Sequence, residues 1–412
     1  MRISDLNLSH ECESAKLSAS IESRQFGRRE LWFSAPKDYS HYFCTSRLDG
    51  FLVGMLFPAM QFGEDIHLKG CVSRKLLDNI NNYVVPLLMS FSPSCKKIKI
   101  TADQTSSQRF DSSGVGTGFS GGVDSFCTIY DRYELETSHD YKINKLVFLN
   151  VGSHGPGQIK EELKLSRQKF YMRYDYLKAF ADEIKLEFIP IDSNLHSYHP
   201  WGHQKTHTLT STAGILTIQR HLFRYYYSSS GLDYDKVMIY SIRSKDISVG
   251  EYCDPILLPL LSTESLEFIS EGIQYTRLKK TLRIMDYEPV RRYLNVCVNG
   301  KRSHENCSTC SKCCRTLMTL NSAGKLDEFS QIFDIQKYKM EMEHQYLRQQ
   351  LLLQRRDPFA YDNIKLARQN GIKLPSQLIC YVSWSADKFK ACRKALKKRL
   401  RTIGNTRFSK KY

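Results

Sequence analysis

Residues 114–126 read Gly-Val-Gly-Thr-Gly-Phe-Ser-Gly-Gly-Val-Asp-Ser-Phe, and the core Ser120-Gly121-Gly122-Val123-Asp124-Ser125 constrains this chain more than any other stretch. A short extended segment precedes it and a helix-like run follows. Glycines at such a junction let the backbone approach an anion with no Cβ in the way. Successive N–H groups and the start of a helix then aim positive partial charge at that anion. Ser120 and Ser125 add hydroxyl donors, and Asp124 is placed to hold a magnesium ion or to orient a nucleotide. No lysine follows the glycines, so this is not the Gly-x-x-x-x-Gly-Lys-Ser/Thr loop of P-loop ATPases. A plain Ser/Gly turn before a helix is the alternative reading.

Beyond the loop, strand-like and helix-like segments alternate. Residues 126–133 continue as a helix, 145–151 (KLVFLNV) form an apolar strand, and 161–184 a helix. A strand at 187–191, a helix at 206–225 and a strand at 236–242 (KVMIYSI) follow. This alternation predicts βαβ units, hence an α/β fold with a parallel sheet covered by helices on both faces. Ligands of such sheets bind at the carboxyl ends of the strands, near the switch in strand order. Three polar patches, 152–158, 193–207 and 243–254, are therefore expected to line one crevice. Before the loop, 1–30 is polar and weakly patterned. Short strands are expected at 31–34, 42–46, 51–57, 66–71 and 97–101, with a helix over 73–89 capped by Ser73. These expectations divide the chain into an N-terminal α+β domain (1–103), a linker (104–117), the nucleotide-binding domain (118–330) and a C-terminal helical extension (331–412).

Composition bounds the setting. With 412 residues, 41% hydrophobic and 25% charged, the chain resembles ordinary soluble proteins. The first thirty residues carry no apolar leader, and no run approaches the roughly 20 apolar residues of a membrane span, so a cytoplasmic protein is expected. The net charge is +17, and residues 388–412 carry eleven Lys or Arg and no acid. Read as a helix, that tail is suited to nucleic acid, an acidic partner or a membrane surface, or is simply a solvated cap. Thirteen cysteines, unevenly spaced, make a poor disulfide framework.

Several of them crowd together. Cys297, Cys307, Cys310 and Cys313 stand in a C-x9-C-x2-C-x2-C spacing that suits a closed tetrahedral zinc knuckle. An iron–sulfur cluster is the competitor, but the ferredoxin run continues with x3-C-P, and here Cys314 follows at once without proline. Cys314 is read as a core thiol, and His304 as a weaker substitute ligand.

The loop resembles the SGGxDS signature of PP-loop ATP pyrophosphatases, which cleave ATP between the α and β phosphates. Together with Cys297-Val298-Asn299-Gly300 and the three later cysteines, it resembles 7-cyano-7-deazaguanine synthase. Pro259-Leu260-Leu261-Ser262 before Glu264 and Glu267 also resembles that family, as more loosely do Asp246-Ile247-Ser248 and Tyr252-Cys253-Asp254. The likeness covers about 114–320. It departs where the family's Arg-Asn-Thr is replaced by Gln204-Lys205-Thr206-His207, and in length, which is closer to the enlarged paralogues of anti-phage gene clusters. The resemblance implies a PP-loop sheet of the HUP type with ATP, Mg²⁺ and Zn²⁺ as cofactors. It implies a ligase that activates a carboxylate such as 7-carboxy-7-deazaguanine and joins it to ammonia or to a protein amine.

Ser120, Gly121, Gly122, Val123, Asp124 and Ser125 are the expected ATP-binding residues, Asp124 being favoured for Mg²⁺. Asp124 and Ser125 are also expected at the chemistry, with Arg243 and Lys245 on phosphate or carboxylate. Lys205 and His207 are candidates for substrate contact. Arg277 and Lys280 either reach the nucleotide or decorate a helix. Two other functions fit the same sequence. One is a PP-loop tRNA-modifying thiolase using Cys127 or Cys253, and the other is a nucleotide-sensing adaptor without catalysis.

Overall fold

The computed structural model describes residues 1–243, 249–297, 305–376 and 380. Among them ten strands form one sheet: β1 (Arg2–His10), β2 (Ser14–Ser23), β3 (Gly27–Pro36), β4 (Ile66–Ser73), β5 (Ile100–Ser106), β6 (Val115–Gly118), β7 (Lys145–Asn150), β8 (Glu187–Ser193), β9 (Arg224–Ser228) and β10 (Glu267–Glu271). Their order is β10-β9-β6-β7-β8-β3-β2-β1-β4-β5. Six of the nine neighbouring pairs are parallel, and the three antiparallel ones all involve β2 or β3. The fold is thus α/β with a mostly parallel sheet. The whole sheet lies within one compact unit, residues 1–306.

Helices cover both faces where β7 passes. Successive strand residues point to opposite sides. Phe148 stacks on Phe170 of helix Lys160–Glu183, while the neighbouring Leu149 touches Gly214 of helix His203–Leu216. The first side holds an aromatic cluster in which Phe119, Phe126 and Phe188 join Phe180 and Phe148. The second side is aliphatic and runs on into helix Asp49–Phe62, whose residues Asp49 to Met60 are all buried.

Several sequence expectations give way here. The segment 1–30 is β1, β2 and the start of β3. Ala15, Leu17, Ala19 and Ile21 are buried, with Lys16 and Ser20 partly exposed between them and Ser18 buried. Small side chains carry this pattern, so the polarity contrast is weak. The expected strand at 51–57 is helical because an element buried on every side shows no period to distinguish helix from strand. The strand expected at 42–46 does not form: Tyr42 ends a 3₁₀ turn, Lys37–Tyr42, and 43–46 is bend and turn. The expected helix at 206–225 ends at Leu216, and its last two residues, Arg224 and Tyr225, open β9, whose Tyr225-Tyr226-Tyr227 run favours a strand. The strand expected at 236–242 is also a helix, Tyr234–Arg243, with Val237 buried but Met238 and Ile239 58% and 47% exposed. By contrast, Ser73 caps its helix as expected, its side chain accepting from the Leu76 N–H.

The second unit, 307–412, is described up to residue 376 and at residue 380. Helix Ser311–Ser322 packs on helix Pro358–Gln369, with Thr319 Oγ1 donating to Asn363 Oδ1 at 3.0 Å, and Leu317, Leu320 and Ile364 are buried. The basic segment 388–412 lies outside the described residues.

A buried carboxylate ties the N-terminal strands to the rest of the sheet's core. Asp49 accepts from the Ser73 N–H and from Gln219 Nε2, both at 2.8 Å, and burial raises its pKa from 3.8 to about 6. A folded-state pKa above the unfolded value stabilises the fold below pH ~4, and that contribution is lost as pH rises to ~6. Urea titrations across that range should show wild type losing about 2–3 kcal/mol relative to Asp49→Asn. Parallel curves for the two proteins would refute the assignment.

Candidate functional site

The Ser-Gly-Gly loop leaves the carboxyl end of β6 and enters helix Val123–Ile129 through Gly122, which caps it without a side chain. Phe119 anchors the loop in the aromatic cluster. Gly121 has φ +71°, and a Cβ there would lie 2.5 Å from Leu177, so both conformation and space demand glycine. The Gly121 carbonyl accepts from the Asn295 N–H at 2.7 Å, and the Ser120 carbonyl from Arg173 at 3.1 Å. Ser125, buried, donates its hydroxyl to the Gly122 carbonyl at 3.0 Å and lies 3.4 Å from the Ser120 hydroxyl. The loop's carbonyls are thus occupied from behind.

In the sheet, β7 and β8 lie on one side of β6, and β9 and β10 on the other. The order therefore reverses between β6 and β9, where open α/β sheets bind their ligands. Asp124 stands beside that gap. Its Oδ2 lies 2.6 Å from Arg277 Nη2 and its Oδ1 3.4 Å from Lys280 Nζ. Both cations come from helix Arg277–Ile284 and also grip the turn after β9. Arg277 donates to the Ser230 carbonyl, and Lys280 to the Ser229 carbonyl and hydroxyl at 2.6 and 2.7 Å. Lys280 is fully buried, and desolvation lowers its pKa against the opposing pull of Asp124. These two residues, left undecided by sequence, converge on Asp124 from more than 150 positions away.

Several polar atoms around the loop have no hydrogen-bond partner: Asn295 Nδ2 and Oδ1, Arg173 Nε and Arg277 Nε. Buried amides and guanidiniums are normally satisfied, so these atoms hold hydrogen-bonding capacity that the protein itself does not use. Sequence reading missed Asn295 and Arg173. The run Ser228-Ser229-Ser230-Gly231 at a strand end was the available signal for the opposite wall. Arg243 closes helix Tyr234–Arg243 rather than following a strand, because 236–242 is helical, so the strand-end argument for it falls. Lys245 lies outside the described residues.

The polar patches 152–158 and 193–207 meet in a cavity of about 330 Å³ beyond β7 and β8, lined by Gly152, Gln158, His196, His199 and His203 among others. Of the third patch, Asp254 is buried and accepts from Thr208 Oγ1 at 2.6 Å. Lys205 is exposed, and His207 Nδ1 lies 2.7 Å from the Tyr227 hydroxyl, its pKa lowered to about 3 by burial.

The ligand atoms of Cys297, Cys307, Cys310 and Cys313 all lie within 4.8 Å of one another, the one such group found among the described residues. Tetrahedral zinc with bonds of about 2.3 Å spaces its sulfurs by about 3.8 Å. The Cys307 and Cys313 sulfurs are 4.0 Å apart. The Cys310 N–H points at the Cys307 sulfur at 3.2 Å, which favours the thiolate, and Ser308 turns the chain with φ +59°. The four cysteines can therefore hold a metal such as zinc. Cys314 is buried with its sulfur toward the Ser308 carbonyl, outside that group.

No protein-family model matches this chain, and neither does any curated protein or solved structure. Elemental analysis should find about one zinc per chain, falling at least fivefold in Cys310→Ser with a lower Tm. A visible iron–sulfur spectrum, or unchanged zinc in the variant, would refute that ligand set.

Proposed function

We propose that this protein uses ATP to activate a carboxylate and joins it to an amine. The observation that carries the reading is the left-handed glycine loop at the strand-order switch, surrounded by unpartnered donors of Asn295, Arg173 and Arg277. A polyanion is the ligand such a set satisfies, because backbone N–H groups, an amide and two guanidiniums supply donors in excess. Arg277 is the cation for the phosphates, and Asp124 positions it, held in turn by the buried Lys280. A carboxylate has about four lone-pair sites, so Asp124 retains room for Mg²⁺ beside its two cationic partners. Bound there, Mg²⁺ would offset charge on the departing pyrophosphate.

The reaction balances as follows. A substrate carboxylate oxygen attacks the α phosphorus, the α–β bridge breaks, and pyrophosphate leaves. The amine nitrogen then attacks the acyl carbon, AMP departs with the bonding pair, and the amine's proton is released to solvent. The loop's N–H groups stabilise charge that grows only as the bridge breaks, which is where such donors accelerate a reaction. The resemblance noted above supports a 7-carboxy-7-deazaguanine-like acid, ammonia or a protein amine as acceptor, and a role in phage defence. A thiolase is less favoured. Cys127 and Cys253 are both buried, and desolvation raises both thiols, Cys127 to about 12, whereas a persulfide-forming cysteine needs an exposed, acidified thiol.

Purified protein with Mg²⁺, ATP and 7-carboxy-7-deazaguanine should release AMP and pyrophosphate in equal amounts. Asp124→Asn should lower kcat/KM by roughly 100-fold or more while the chain stays folded. Release of ADP, or ATP binding with no turnover in the presence of acid and amine, would overturn the reading, the latter in favour of the adaptor.

A further inference from the structure

The two ends of the sheet differ. At one end, β5 presents Thr101, Asp103, Gln104 and Thr105, all exposed and all polar. At the other, β10 borders a groove of about 310 Å³. Glu267, Phe268, Ile269 and Ser270 line it in unbroken succession. Successive strand side chains point to opposite faces, so a groove bordered by four residues in a row runs along the edge of the strand.

The main chain of that edge is only partly capped. Glu267 donates its N–H to the Phe223 carbonyl and the Glu271 carbonyl accepts from the Ser229 N–H, both at 2.9 Å, so 267 and 271 bond toward β9. Phe268 turns its N–H the other way, to the Ser262 hydroxyl at 3.0 Å. Main-chain bonding alternates in direction along a strand, so Ser270 also faces away from β9. Its N–H and C=O open on the side where no strand pairs. A donor and an acceptor side by side on a strand edge are what an added strand satisfies.

The opposite wall is apolar. Pro255 and Pro259 line it from helix Val249–Leu260, and Tyr234 from the start of helix Tyr234–Arg243. Tyr234 is 55% exposed, Met238 one turn further on is 58% exposed, and Ile256 between the prolines is 49% exposed. Large apolar side chains left in water beside a groove mark a contact surface. The charge of the groove is unbalanced. Its acid, Glu267, is held by Arg224 at 3.0 Å. Its lysine, Lys75, is exposed, lies 3.4 Å from the Thr263 carbonyl, and makes no ion pair among the described residues. A second copy of a chain with net charge +17 is repelled here, whereas an acidic segment is attracted.

We propose that β10 takes an extended segment of an acidic partner polypeptide as a further strand. The main chain of the segment pairs with Ser270, its aliphatic side chains lie against Tyr234, Pro255 and Pro259, and a carboxylate meets Lys75. None of these residues belongs to the glycine-loop site, so the proposal stands apart from the ligation reading.

The probe is a displayed library of random peptides about eight residues long, selected on the full-length protein. Peptides enriched over the bare support should alternate apolar residues and carry Asp or Glu. In fluorescence anisotropy the best of them should bind Ser270→Pro roughly 10-fold or more weakly, because proline removes the edge N–H. Lys75→Glu, at an exposed position, should weaken binding about fivefold or more, and most at low salt. N-methylation of alternate amides in the peptide should abolish binding to wild type, which keeps the test if Ser270→Pro does not fold. No enriched peptide, or unchanged affinity in any one of these three comparisons with folded protein, overturns the proposal. A wild-type dimer in sedimentation that Ser270→Pro splits gives the edge to a second copy and overturns the assignment to an acidic partner.

Discussion

The region around the glycine loop depends on one ionic cluster. Asp124 at the first turn of its helix draws Arg277 and a fully buried Lys280 across the gap between β6 and β9. Burying a lysine is costly unless its charge is matched and its protons are bonded. Here Asp124 supplies the charge, while the Ser229 carbonyl and hydroxyl supply the remaining acceptors. The cluster therefore fixes three things together: the helix after the loop, the turn after β9, and helix Arg277–Ile284. Remove the carboxylate and two cations face each other in a desolvated gap.

The same arrangement separates two kinds of chemistry within one row of strand ends. Around β6 and β9 the lining is cationic and rich in N–H groups. Around β7 and β8 the lining holds no Lys, Arg, Asp or Glu and includes His196 and His199, whose pKa values burial lowers to about 4. An anion and a neutral group would be drawn to different halves of such a lining. Specificity in a site of this kind comes as much from what each half leaves unsatisfied as from what it binds.

The legible parts of the sequence were those in which local chemistry dictates local shape. Gly121 needs a left-handed turn, and Cys307, Cys310 and Cys313 need only a short loop to meet, so both were visible in a few residues. Ser73 announced its helix for the same reason. The pairing of Asp124 with Arg277 was not visible, because their separation of 153 residues is closed only by the strand order. Unpatterned apolar runs misled in both directions. Residues 51–57 lie in a helix with no polar face, and 236–242 in a helix that leaves Met238 and Ile239 outside. β2 was hidden because its buried positions include small alanines and its other positions serines, which differ little in polarity, and β1 because charged and polar residues interrupt its few apolar ones.

The join between β3 and β8 is short, with Phe33 opposite Ser193 and Ser34 opposite Asp192. Side chains lengthen it. Asn194 Oδ1 accepts from the Trp32 N–H, its Nδ2 donates to the Glu30 carbonyl, and the Ser193 hydroxyl donates to the Trp32 carbonyl. Those same residues open the segment that carries His196 and His199. Insertions or deletions in the hairpin of β2 and β3 would therefore be felt as rotations of two imidazoles. The hairpin of β2 and β3 is thereby coupled to the segment between β8 and helix His203–Leu216.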